Sequence, residues 1–181
     1  MISIVAVLTT AMLGCGGEYT QSGSPIALLV TSVPLMSQID LAGGAGCDGF
    51  AAEVKVQAVA KNASAGGTFN QVRLSSYRVS YIRTDGGSQV PASFVRTLDT
   101  IIASGGSASL PEFVILEGDA VGQAPFAALQ PQNGGRDPVT GRPLVKMDVI
   151  VEVFGETLGG DRVYDATRFP LDFCFNCGGC D

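Results

Sequence analysis

The stretch Val145-Lys146-Met147-Asp148-Val149-Ile150-Val151-Glu152-Val153-Phe154 decides the fold class. Val145, Met147, Val149, Val151 and Val153 fall on one side of a two-residue period, and Lys146, Asp148 and Glu152 fall on the other. A helix, with about 3.6 residues per turn, would wind the two sets into each other, whereas a strand keeps them on opposite faces. A half-buried antiparallel strand is predicted here. Residues 52–61 repeat the pattern: Ala52, Val54, Val56, Ala58 and Ala60 face one way, and Glu53, Lys55, Gln57, Val59 and Lys61 face the other.

Working outward, residues 26–33, 70–75, 77–84, 94–102, 113–116 and 168–175 also read as strands. Turn signals part them: Asp85-Gly86-Gly87, the Gly-Ser run over 104–107, and residues 155–161. Proline cannot donate to a strand ladder, so Pro91 and Pro170 place their segments at an edge or a bulge. Residues 118–143 lack periodicity and read as a long surface loop with one helical turn near Phe126–Leu129. Short strands of this number, with frequent turns, predict an all-β sandwich of seven to nine antiparallel strands, immunoglobulin-like, with a jelly roll as the alternative.

Composition bounds the function. The chain has 181 residues, 46% of them hydrophobic and 15% charged, which suits one folded domain and not a disordered tail. Its net charge is −6, its Lys and Arg number only 11, and no basic run appears, which argues against a nucleic-acid partner. The chain contains no His, which removes the usual proton shuttle and the commonest metal ligand together.

Residues 2–14 are apolar or small, apart from Ser3, Thr9 and Thr10, and run into Cys15-Gly16-Gly17-Glu18. A membrane-spanning helix needs about 20 such residues, so the run is too short to span but suits the apolar region of a signal peptide. No Lys or Arg precedes it. Ala11-Met12-Leu13-Gly14-Cys15 resembles the lipobox of bacterial lipoproteins, with Met12 and Leu13 bulkier than the usual choices there. The resemblance implies a signal peptide over 1–14 and lipid attachment at Cys15. It also implies a lipidated flexible tether over 15–25 and a single domain over 26–181. Gly16 directly after the cysteine implies sorting to the outer membrane of the cell envelope.

With Cys15 given to lipid, Cys47, Cys174, Cys177 and Cys180 remain of five cysteines. An exported chain uses such an even set first for disulfides, in any of three pairings. A bridge from Cys47 to one of the last three would close a loop of about 130 residues, worth about 5 kcal/mol in chain entropy. The other two would then close a tight ring. The rival reading of the same four residues is a zinc or iron–sulfur site, or a redox pair at Cys174 and Cys177.

Tyr77-Arg78-Val79-Ser80-Tyr81-Ile82-Arg83-Thr84-Asp85-Gly86, Val90-Pro91 and the close Phe169-Pro170-Leu171-Asp172-Phe173-Cys174 look like strands of uncharacterised immunoglobulin-like domains of bacterial envelope lipoproteins. No activity comes with that resemblance.

The residues offer no catalytic set. Lys55, Lys61 and Lys146 sit at polar strand positions. The pairs Asp161 with Asp165 and Asp148 with Glu152 have the chemistry of glycosidase carboxylates or calcium ligands, but lie in a turn and on an outer face. The glycines of 43–46 lack the Lys and Ser/Thr that close a phosphate loop. Asn62-Ala63-Ser64 fits a glycosylation sequon. Tyr77, Arg78 and Tyr81 read as core and rim packing before a recognition surface. The expectation is a non-catalytic, lipid-anchored structural or protein-binding module with neither metal nor cofactor. Its partners would be the membrane and another envelope protein or a glycan.

Overall fold

A computed structural model describes residues 23–33, 37–43 and 51–178. Eight strands form among the described residues: β1 Ile26–Val33, β2 Gln38–Asp40, β3 Ala51–Ala60, β4 Val72–Arg83, β5 Phe94–Ile102, β6 Ser107–Val114, β7 Leu144–Thr157 and β8 Arg162–Cys174. They make an all-β sandwich, with a sheet ordered β1-β3-β6 facing one ordered β2-β8-β7-β4-β5. This is the immunoglobulin arrangement: β1, β3 and β6 stand as strands A, B and E, while β8, β7, β4 and β5 stand as G, F, C and C′. No strand D separates β5 from β6, which are joined directly through residues 103–106.

The expectation that every strand would pair antiparallel fails at one place. β2 runs parallel to β8, with Ile39 opposite Phe173. The reason is connectivity: β1 pairs with β3 in one sheet, and the chain then crosses to the other sheet still travelling in the same direction.

Sequence alternation fixes the core. Val145, Met147, Val149, Val151 and Val153 are all fully buried, as are Val54, Val56 and Ala58 from the facing sheet. β4 is one strand where two segments were expected. Val72 and Leu74 are buried, then Tyr77, Val79 and Tyr81, so the inward phase slips by one. The slip is a bulge between Leu74 and Ser76, seen from both neighbours. A bulge takes up one extra residue without ending the ladder, so a break in alternation need not end a strand.

β6 begins before the expected 113–116 and pairs with β3 from Ser107 onward. Its small residues carry too little hydrophobic signal to be distinguished from a turn. Pro111 lies between the pairs Val54↔Leu110 and Ala52↔Phe113, at a register shift, where a ladder tolerates proline. Pro170 pairs opposite Asp148 on β7, in a stretch of β8 that β2 does not reach. β7 extends past the expected 145–154 at both ends, and β8 begins before the expected 168–175 and ends at Cys174, the two joined by a short turn.

The segment 118–143 holds three short 3-10 turns, Gly118–Gly122, Phe126–Leu129 and Pro131–Asn133. It is not wholly superficial. Phe126 and Leu129 are buried, and the Phe126 ring packs 5.0 Å from that of Phe173.

Candidate functional site

Of the residues expected to carry chemistry, Cys15, Cys47 and Cys180 lie outside the described residues. Cys174 and Cys177 are joined in a disulfide with Cα atoms 6.0 Å apart. β8 delivers Cys174 into the core, and the chain then turns back through Asn176, whose φ of 53° is left-handed. Asn tolerates that conformation better than most residues with a Cβ.

Asp40, at the end of β2, holds this turn. Its carboxylate accepts backbone N–H bonds from Ala42 at 3.0 Å, Asn176 at 2.9 Å, Cys177 at 2.9 Å and Gly178 at 3.1 Å. Burial pushes the Asp40 carboxyl up, but the four N–H donors outweigh it and hold it below its ordinary range. Asp40 brings negative charge to the turn, and no helix begins at either cysteine. Redox-active pairs instead sit where positive charge or a helix N-terminus lowers a thiol pKa. The surroundings therefore favour a structural bridge over a redox one. Among the described residues no group of three or more His, Cys, Asp or Glu is placed to hold a metal.

A second cluster lies at the same end of the sandwich. The side chain of Arg83, which closes β4, is 3% exposed, and the side chains of its partners Asp85 and Asp137 are both 0% exposed. The guanidinium donates to both Asp85 oxygens at 2.8 and 2.9 Å, to Asp137 Oδ2 at 3.2 Å and to the Gln89 carbonyl at 3.2 Å. Asp85 also accepts the Gly87 and Lys146 N–H groups, and Asp137 accepts that of Thr140. Gly87 is required here, because a Cβ would collide with the Arg83 guanidinium.

Burial raises the Asp85 carboxyl, but the Arg83 bonds and charge and the two N–H donors prevail and hold it down to about 2. Asp137 is lowered for the same reasons: burial opposes, while Thr140 and Arg83 win. The cluster fastens the long 118–143 loop to β4. Both carboxylates are enclosed against the Arg83 guanidinium, and Asp137 Oδ1 is buried with no hydrogen-bond partner.

The missing strand D leaves a groove of about 260 Å³ between β5 and β6, lined by Tyr77, Arg96, Leu98, Leu110 and Phe113 among others. The Tyr77 ring packs tilted against Phe113 at 3.8 Å between ring centres, and the Tyr81 hydroxyl donates to the Ile115 carbonyl at 2.8 Å. Burial raises both phenols above their ordinary range. Both tyrosines are core residues, as the packing reading expected, and Arg78 pairs with Glu152 on the outer face.

The acidic pairs weighed in the sequence are not brought together as sites. Asp165 accepts the Val30 N–H at 2.7 Å, pinning β1 across to β8. Asp148 pairs with Arg168, and Glu152 with Arg78. Lys146 pairs with Asp172, while Lys55 is exposed. In the sequon, Ser64 donates to the Asn62 side chain. Sequence reasoning missed Asp40, Arg83 and Asp137. Asp85-Gly86-Gly87 was legible as a turn, but nothing local marks the partners more than fifty residues away. No protein-family model matches the chain, and no curated protein matches it.

Proposed function

We propose that the protein is a non-catalytic, lipid-anchored module of the cell envelope. Cys15 carries the lipid, and the sandwich serves as a structural or protein-binding unit at the outer membrane. The observation that carries this reading is the Cys174–Cys177 disulfide in a chain whose leader ends at a lipobox-like cysteine, because such bridges persist in oxidising, exported environments. It is supported by the fate of the buried ionisable groups, since Asp40, Arg83, Asp85 and Asp137 are all spent on holding loops. Its partner is another envelope protein or a glycan.

Labelling cells with radioactive palmitate tests the anchor. The wild type is expected to take label and Cys15→Ala to take none, and equal labelling of both rejects it. Stoichiometric zinc in purified protein, with Cys47, Cys174, Cys177 and Cys180 all free, would replace this reading with a metal module.

A further inference from the structure

The end of the sandwich at which β1 begins carries large apolar side chains in the open. Phe69 is 76% exposed and Leu158 is 44% exposed. Phe69 is not exposed because its loop is loose. It sits in a 3-10 turn, Thr68–Asn70, closed by Asn70 N–H to Gly67 O at 3.2 Å and Gln71 N–H to Thr68 O at 3.1 Å. The turn is latched to the β7–β8 turn by Gly159 N–H to Phe69 O at 2.8 Å and Leu158 N–H to Gln71 O at 2.9 Å. The two latched turns therefore hold Phe69 and Leu158 beside each other as one fixed apolar patch in solvent, the kind of surface that is commonly covered.

Chain entry identifies what covers it. Lys61 N–H bonds Pro25 O at 2.9 Å, and the Ser104 hydroxyl bonds Ala65 O at 2.7 Å. The start of β1, the loop leading to Phe69 and the β5–β6 turn therefore share one end of the sandwich. Eight peptide steps separate Gly23 from Cys15, which at about 3.5 Å each reach no farther than about 28 Å. β8 has 13 residues, so the opposite end, with Arg83 and Asp137, is about 40 Å away along the strands. A lipid on Cys15 thus keeps the Phe69 end within about 28 Å of the bilayer and forbids the sandwich from standing inverted on its Arg83 end.

We infer that Phe69 and Leu158 insert into the interfacial layer of the membrane that holds the lipid anchor, fixing the orientation of the sandwich on it. This rests on the lipid-anchored reading above. Aromatic and aliphatic side chains on rigid turns suit that layer, where one end of the residue is apolar and its backbone stays wet.

The chain contains no Trp, so a single introduced one reports its own surroundings. The full lipidated chain is placed in vesicles of phosphatidylethanolamine and phosphatidylglycerol, with and without acyl-brominated phosphatidylcholine. Phe69→Trp is expected to be quenched by the bromines at least twofold more than Val139→Trp, which lies at the opposite end and is exposed. Leu158→Trp is the second probe if Phe69→Trp does not fold. Equal quenching of near-end and far-end probes in protein that floats with the vesicles overturns this inference alone. Protein that carries an unmodified Cys15 and does not float overturns the anchor and this inference together.

Discussion

Asp40 Oδ2 accepts the Cys177 N–H at 2.9 Å across 137 positions of sequence, so a three-residue strand and a disulfide turn are held as one unit. The expected consequence is that Asp40→Ala strips the acceptor from the N–H groups of Asn176, Cys177 and Gly178 and lowers stability by about 2 kcal/mol. Urea unfolding measures the loss. Dithiothreitol should also reduce the Cys174–Cys177 bond faster in this variant than in the wild type. An unchanged reduction rate would show that the carboxylate does not hold the turn.

Arg83→Met is expected to cost about 3–5 kcal/mol, because it leaves two enclosed carboxylates without their cation. Hydrogen exchange should quicken first at Thr140 and Gly141, which hang from Asp137. Uniform protection across the loop in a stably folded variant would refute the role given to this arginine.

Acid should undo the same cluster. The Asp85 carboxyl falls from its ordinary value of 3.8 to about 2 in the folded protein. A depressed carboxylate stabilises fully above its unfolded pKa, and that stability, on the order of 2 kcal/mol, drains away as pH falls through about 2. Asp85→Asn should flatten the corresponding part of the stability–pH curve between pH 5 and 2. An identical slope in both proteins would remove Asp85 from the account.

Phe126→Ala should destabilise by about 3–5 kcal/mol, the range for deleting an enclosed aromatic ring, although the residue lies in a long connecting segment. A chemical denaturation midpoint close to that of the wild type would mean that the segment is not part of the core.

Peptide mapping under non-reducing conditions should find Cys174 bonded to Cys177. No Lys or Arg follows Arg168, so trypsin leaves Cys174, Cys177 and Cys180 on one peptide. With Cys15 lipidated, we expect that peptide to be joined to the one containing Cys47, and fragmentation to place the link at Cys180. A link from Cys47 to Cys174 or Cys177 would contradict the observed pairing.

The strands with strong alternation were legible residue by residue. Every predicted inward position from Val145 to Val153 is buried, because a two-residue period and one wet face leave a strand no other orientation. Legibility failed where the local signal was weak or misleading. The bulge at Ser75 and Ser76 looked like the end of one strand, and the small residues opening β6 looked like a turn.

The candidate site divided in the same way. The cysteines were visible as residues, but their pairing was not, since three pairings satisfy the spacing equally. Asp40, Arg83 and Asp137 gave no signal, because a buried charge differs from a surface one only in what the fold brings to it. By itself the sequence determined an all-β class, the inward faces of the strongly alternating strands and the absence of histidine chemistry, all of which depend on residue type and short-range period. The tertiary structure alone decided that β2 runs parallel to β8, that strand D is missing, and that distant carboxylates lock the loops. Those outcomes are set by which strands meet in space, and that is fixed by burial of the whole core and not by any local stretch of chain.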